Sequence, residues 1–342
     1  MVMAGAKGNT FNEIKSTLGF NIDMTESQLY TSFSTLLRQL NNFTSSAKST
    51  LRLANAIALQ NEYSLLPTYL HIVKNRLIAN IFSVNFKEEP EQAVEKINQW
   101  VNRKTRGKIP KIVDDLSTNT RMVLLNALYF KGTWKTPFKK DSTKENAFSY
   151  GEQNKKKVNV PMMRQRFDEL NYASFYGGEL VELPYKNDSF SMLLFLPRTI
   201  DADSVSSIFS HALKTPNLYT KLKTREVILT LPRFKIKSSF ELKPTLQGIG
   251  IETAFEDGAD FTRIAESNDD ENLQLSNVLH KAVVEVNEEG AEAAAVTDAE
   301  IAFFSAGPSL PPIQMDFNRS FLFAIRCNRL QLTLFAGIVN KP

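Results

Sequence analysis

Apolar positions in the first third of the chain recur every three or four residues, the spacing of a helix. FNEIKSTLGF sets Phe11, Ile14 and Leu18 on one face and stops at Gly19, and SQLYTSFSTLLRQL repeats the pattern. LRLANAIALQ then alternates as a strand, and LLPTYLHIVKNRLI returns to helix. EPEQAVEKINQWVNRKTRG carries acids early and bases late, which suits a helix dipole. MVLLNALYFKGTW, Met122 to Trp134, is an apolar run fit for a buried strand. After it strands dominate: LVELPY, FSMLLFLP, EVILTLPRFKIKSSF and KAVVEV are β-rich and bounded by Pro, Gly or Asn. Short helices are expected in DADSVSSIF and SSFELKPTLQGIG, and the tail MDFNRSFLFAIRCNRLQLTLFAGIVN reads as two or three strands. Helices first and strands after, with no repeat or low-complexity linker, predict a single α+β domain over residues 1–342.

EEGAEAAAVTDAEIAFFSAGPSLPP, Glu288 to Pro312, fits neither pattern. Alanine and glutamate favour helix, yet no helical stripe develops, and the run ends in Gly307, Pro308, Pro311 and Pro312. As a strand it divides with period two. Ala291, Ala293, Ala295, Thr297, Ala299 and Ile301 face one side; Glu292, Ala294, Val296, Asp298, Glu300 and Ala302 face the other. One face is small and nearly all apolar, and the other holds the acids. Such a ribbon slips between two strands without displacing what packs beneath them. Gly290 at its head is a hinge, since glycine accepts backbone changes that other residues resist. The plain alternative is an alanine-rich surface loop.

A net charge of +4 on 342 residues gives no electrostatic footprint for nucleic acid. No apolar run approaches the ~20 residues that span a bilayer. Neither nucleic acid nor membrane is therefore expected as a partner. His71 lies in an apolar helix and His211 in a polar helix end, neither with a second ligand at metal spacing. His280, in LSNVLHKAVVEV, suits a structural hydrogen bond at a strand edge. No G-x-S-x-G, H-E-x-x-H, P-loop or G-x-G-x-x-G occurs, so neither a hydrolase nor a metal site is expected. Arg103, Lys104, Arg106 and Lys108 read as a solvated helix end. The single cysteine, Cys327, excludes an internal disulfide and sits in FLFAIRCNRL as a buried thiol. MVMAGAKGNT shows no signal peptide; it looks like the last turn of a helix. The sequons at Asn42, Asn187 and Asn318 bear on a glycoprotein only if the chain is secreted.

NEEGAEAAAVT resembles the reactive-loop hinge of inhibitory serpins, the serine protease inhibitor family. NALYFKGTWKTPF resembles the family's motif around a tryptophan. INQWVNRKTRGKI, VPMM, LVELPY, LSNVLHKAVVEVNEEG, DFNRSFLFAI and LFAGIVNKP follow in the family's order and spacing. The resemblance covers essentially the whole chain. It implies a large central, mostly antiparallel sheet, two further sheets, about eight helices, and an exposed reactive-centre loop over about 288–312. It also begins late: a first helix, a strand and most of the helix beneath the opening sheet are missing from the start.

The resemblance further implies a suicide-substrate inhibitor rather than an enzyme. A protease cleaves the loop, and the freed segment enters the main sheet as a new strand. Matched position by position, the hinge is Glu288, Glu289, Gly290, Ala291, Glu292, Ala293, Ala294, Ala295, Val296 and Thr297, and the scissile bond joins Phe304 to Ser305. Ile301, Ala302 and Phe303 precede it as neighbouring specificity positions. Trp134, Arg233 and Glu288 match the region where insertion begins, the breach, and Asn126 with His280 the polar pair where strands part, the shutter. Phe304 implies chymotrypsin-like serine proteases as partners, and Phe303 leaves papain-like cysteine proteases open. Ala291 stands where the family has threonine or serine, Val296 is bulkier than usual, and Ser320 replaces a proline. A monomer, extracellular by resemblance with cytoplasmic as the alternative, is expected. The long helix over SQLYTSFSTLLRQLNNF supplies only Arg38, so no glycosaminoglycan or other cofactor is expected. The competing readings are a non-inhibitory relative acting as carrier, storage protein or chaperone, and an inactive, N-terminally short variant.

Overall fold

Strand β1 (Thr50–Gln60) buries side chains on both of its faces, and its alternation assigns them to two layers. Ala54, Ala56 and Ala58 point into one core, Ile57 and Leu59 into the other. The computed structural model describes residues 1–21, 23–46, 50–151, 155–175, 177–198, 221–266, 272–289 and 310–342. The reactive-loop positions from Gly290 to Ser305, the expected helix at 201–209 and His211 lie outside them. The chain divides into two compact units. The first holds Met1–Thr44, Leu51–Phe130 and Lys237–Val284; the second holds Ser45–Thr50, Lys131–Ile236 and Glu285–Pro342.

In the first unit, helices α1 (Val2–Gly5), α2 (Gly8–Thr17) and α3 (Glu26–Ser46) precede β1. Helix α4 (Pro67–His71) runs into a π-helical turn, Ile72–Arg76, and leads to β2 (Asn80–Val84). Helix α5 (Pro90–Lys104) starts on a proline, has Glu91 in its first turn and Arg103 and Lys104 in its last, and buries Ala93, Ile97, Trp100 and Val101. Beneath it lie the alanines of β1 and alternate residues of β3 (Met122–Lys131): Val123, Leu125, Ala127 and Tyr129. Small side chains on β1 let the helix sit close. After α6 (Lys243–Gly248) comes β10 (Leu275–Val286).

The sheet order is β2-β1-β3-β10-β9, with β9 spanning Phe234–Glu241. β1 and β2 are parallel, and so are β3 and β10, which pair directly from Asn277↔Val123 to Val284↔Phe130. Patterns of apolar residues set which face is buried, not which way a strand runs. The motif SSFELKPTLQGIG divides: Ser238 to Glu241 end β9, and only KPTLQG is helical, with Pro244 in the first turn.

The second unit is built on β5 (Lys156–Phe175) and β8 (Lys223–Pro232), which pair antiparallel. The first part of β5 carries β4 (Lys144–Tyr150) and its last residues carry β6 (Gly178–Pro184). β11 (Ile313–Asp316) joins β8 in parallel. β6 continues to β7 (Phe190–Pro197), β12 (Phe321–Cys327) and β13 (Leu332–Val339), all antiparallel. Every residue of β7 is buried, which explains its unbroken apolar run. Cys327 is a buried free thiol. β4 and β5 escaped the sequence reading because most of their side chains are exposed or half-exposed and carry little alternation.

β6 begins at Gly178, where an added Cβ would lie 2.4 Å from the Leu196 carbonyl oxygen of β7. Gly178→Ala is therefore expected to force these strands apart and lose about 1–3 kcal/mol. A lowered urea midpoint at unchanged slope would show it, and an unchanged midpoint would refute the close approach.

Candidate functional site

Two clusters hold Trp134, Arg233, Glu288, Glu289, Asn126 and His280, the described residues among those singled out by sequence. The first, in the second unit, starts four residues past Phe130. Trp134 is 1% exposed and stacks on Tyr185 at 4.3 Å and 9°, with Phe138 edge-on at 6.3 Å. Its indole N–H donates to the Asn287 carbonyl at 2.8 Å, and the Phe138 amide donates to the Glu288 carbonyl at 2.9 Å. The chain leaving β10 is thus fastened by backbone and ring together. Glu288 is 3% exposed, and Arg233 Nε donates to both of its carboxylate oxygens, at 2.6 and 2.7 Å. Thr143 Oγ1 adds a third bond at 2.6 Å. Arg233 occupies the single position between β8 and β9, so the two strands fix it.

Burial alone would raise the Glu288 carboxyl, but the Arg233 fork and the Thr143 hydroxyl outweigh it and hold the group below its ordinary 4.5. Around this pair, Lys140 bridges Glu289, and Lys131 and Lys235 flank Glu285 at 3.3 Å each. An open cavity of about 640 Å3 lies among Lys140, Arg233, Lys235, Glu285, Glu288 and Glu289. No group of His, Cys, Asp or Glu among the described residues could hold a metal. The site has no nucleophile–base pair; it is a set of ties on the segment that precedes Gly290.

The second cluster lies in the first unit. His280 Nδ1 donates to Asn126 Oδ1 at 2.6 Å, and Asn126 Nδ2 donates to Asn55 Oδ1 at 2.5 Å. The exposed Phe240 ring stacks against His280 at 6.0 Å. Asn55, Asn126, His280 and Phe240 belong to β1, β3, β10 and β9, so this row crosses four adjacent strands. Asn126 and His280 are register partners across the parallel pair. Burial lowers the His280 value from 6.5, which keeps the ring neutral at pH 7. Sequence reasoning missed Asn55 and Phe240. Asn55 was detectable as the one amide among the apolar residues of LRLANAIA. Thr143 gave no local signal, and Phe138 and Tyr185 stood only as the last residues of the motifs NALYFKGTWKTPF and LVELPY.

The family model for Serpin (serine protease inhibitor) matches residues 1–342. The chain belongs to the serpin family. Serpins are protease inhibitors rather than enzymes, and their partners are the proteases they act on. Iripin-2 of Ixodes ricinus is 37% identical across all of this chain and 84% of its own length. The leukocyte elastase inhibitor of Sus scrofa is 34% identical, covering 100% of this chain and 89% of that protein. Among solved structures, human thyroxine-binding globulin in complex with thyroxine superposes with a TM-score of 0.87 at 30% identity, over all of this chain and 88% of that one. Serpin48 of Tenebrio molitor, described as highly specific, gives 0.85 at 30%, with the same coverage. The family thus includes proteins named as inhibitors and one named as a thyroxine-binding globulin.

Replacing Arg233 by Met strands a buried carboxylate, and is expected to cost about 1–3 kcal/mol given that Arg233 is 44% exposed. Because the folded Glu288 value is depressed, its stabilisation is complete above pH 4.5 and is lost as pH falls below it. The melting temperature of the wild type should therefore drop more steeply below pH 4.5 than that of Glu288→Gln; parallel curves would refute the pairing. His280 works at higher pH. Its depressed value means stability falls as pH drops through 6.5, and His280→Gln should flatten that part of the melting profile.

Proposed function

We propose that this serpin inhibits serine endopeptidases as a suicide substrate, acting as one domain although it has two compact units. The observation that carries the reading is the direct parallel pairing of β3 with β10. The loop leaves from the end of β10 at Val286, so a segment that folds back between the two runs antiparallel to both. One parallel ladder is replaced by two antiparallel ones, which are the more stable pairing. The alternation of Ala291, Ala293, Ala295 and Thr297 supplies the small side chains that pass over a sheet packed on both faces.

Residues 291–304 extend about 46 Å as a strand at ~3.3 Å each. At ~1 kcal/mol net per hydrogen bond over a dozen residues, with apolar burial added, insertion yields on the order of 10–20 kcal/mol. A typical protease is stable by ~5–15 kcal/mol, so dragging it that distance can distort its active site. A displacement of ~1 Å in a catalytic constellation slows reaction ~100-fold, and the acyl-enzyme persists. In this scheme the ties at Trp134 and Arg233–Glu288 are the first to yield, and the Asn126–His280 bond breaks as the strands separate. Phe304 before Ser305 fits the apolar slot of chymotrypsin-like enzymes. Phe303 supports papain-like proteases as a second target class.

Mixed with chymotrypsin, the full chain is expected to form a complex that survives boiling in SDS. Phe304→Arg should redirect complex formation to trypsin, whose slot carries an acid. The cleaved chain should also melt about 20 °C above the uncut one, given the insertion energy. Cleavage after Phe304 with neither complex nor stabilisation would sink the proposal and favour a carrier or storage role.

A further inference from the structure

Two stretches of the chain contain no Asp or Glu: residues 27–61 and 96–113. The fold brings Arg52 of the first to the turn that carries Lys108 of the second. The Gln60 amide donates to the Arg121 carbonyl at 2.9 Å, and Asn126 donates to Asn55 at 2.5 Å. With those residues abreast, β1 and β3 run antiparallel, and the register sets Arg52 abreast of Tyr129. By alternation Arg52 shares the face of Ala54 and Ala56, in the layer that holds Tyr129.

The turn after α5 arrives at the same place. Lys108 Nζ lies 5.6 Å from the centre of the Tyr129 ring. The turn is fixed by Thr105, fully buried, whose hydroxyl donates to the Val101 carbonyl at 2.9 Å and accepts from the Ile109 amide at 3.0 Å. Arg106 stands in that turn with φ of +52° and is exposed. Burial and the Arg106 charge together depress the Arg52 value. Arg52 Nε is buried without a hydrogen-bond partner, and among the described residues Arg52, Arg106 and Lys108 form no ion pair.

A solvated helix end explains Arg103 and Lys104, which project from the last turn of α5. It does not explain Arg52, which reaches the same point from a strand and keeps a donor out of water, at a cost that an acceptor would remove. At the end of the acid-free stretch Lys111 pairs with Asp114, the first residue beyond it, so the lack of counter-charge is local. We propose that Arg52, Arg106 and Lys108 form a site for a multiply charged oxyanion, a phosphate or sulfate group. Such an ion accepts from the guanidinium of β1 and from both cations of the turn, linking the end of α5 to the sheet. The site stands independently of the inhibitory reading.

The test is calorimetric titration of the full chain, at constant ionic strength, with inorganic pyrophosphate and separately with a sulfated dextran oligosaccharide. Saturable binding is expected in at least one arm. Pyrophosphate binding identifies a free oxyanion as the ligand, and binding by the sulfated chain alone identifies a chain-borne one. Arg106→Gln and Lys108→Gln, both at exposed positions, should each weaken it about tenfold or more, and Arg106→Lys should restore part. A hundredfold excess over Kd should raise the melting temperature by about 5 °C in the wild type and not in the Arg106→Gln variant. Absence of binding in both arms, or binding unchanged in the Arg106→Gln/Lys108→Gln double variant, would overturn the site.

Discussion

Two strands that run the same way, β3 and β10, are hydrogen-bonded to each other along the middle of their sheet. Both lie under side chains that fill layers on either face, so neither can shift sideways without opening a packed core. Between them only a strand of opposite direction can enter with better hydrogen bonding than the one it interrupts. The rest of the molecule's design is legible from this junction. Alanines on β1 let α5 sit close over it, a polar row crosses it, and the chain that continues from β10 is fastened as soon as it leaves the strand.

The two clusters hold their segments by different physics. At Trp134 and Glu288 the hold is a buried carboxylate gripped by a half-exposed guanidinium, with stacked rings shielding the bonds beside it. Its strength is electrostatic and weakens in acid, below the ordinary carboxyl range. At Asn126 and His280 the hold is a chain of neutral amide and imidazole bonds, sensitive to pH only through the burial of the ring. In the proposed mechanism both must release in turn, which makes the uncut molecule persistent without making it the most stable state. Thyroxine-binding globulin superposes closely on the same fold, so architecture alone does not assign an inhibitory role.

Much was readable along the chain. Helical spacing located α2, α3 and α5, and apolar runs located β3, β7 and β12, because burial of a face writes a period into the sequence. The motifs around Trp134 and Gly290 carried the family. The polar strands β4 and β5 were invisible because little of either is buried. The division of SSFELKPTLQGIG between strand and helix turned on edge pairing, which no local pattern records.

What the sequence by itself determined was the strongly periodic elements, the run of small residues after Glu289, the single cysteine and the family. Those follow from local periodicity and from motifs contiguous in the chain. Only the tertiary structure decided that β3 and β10 are parallel neighbours, that Arg233 grips Glu288 across 55 residues, and that Asn55 extends the Asn126–His280 pair. That Arg52 of β1 and Lys108 of the turn after α5 both come to Tyr129 was likewise decided in three dimensions. Each of these depends on strand order and register, and residues far apart in sequence leave no trace of either until the sheet has formed.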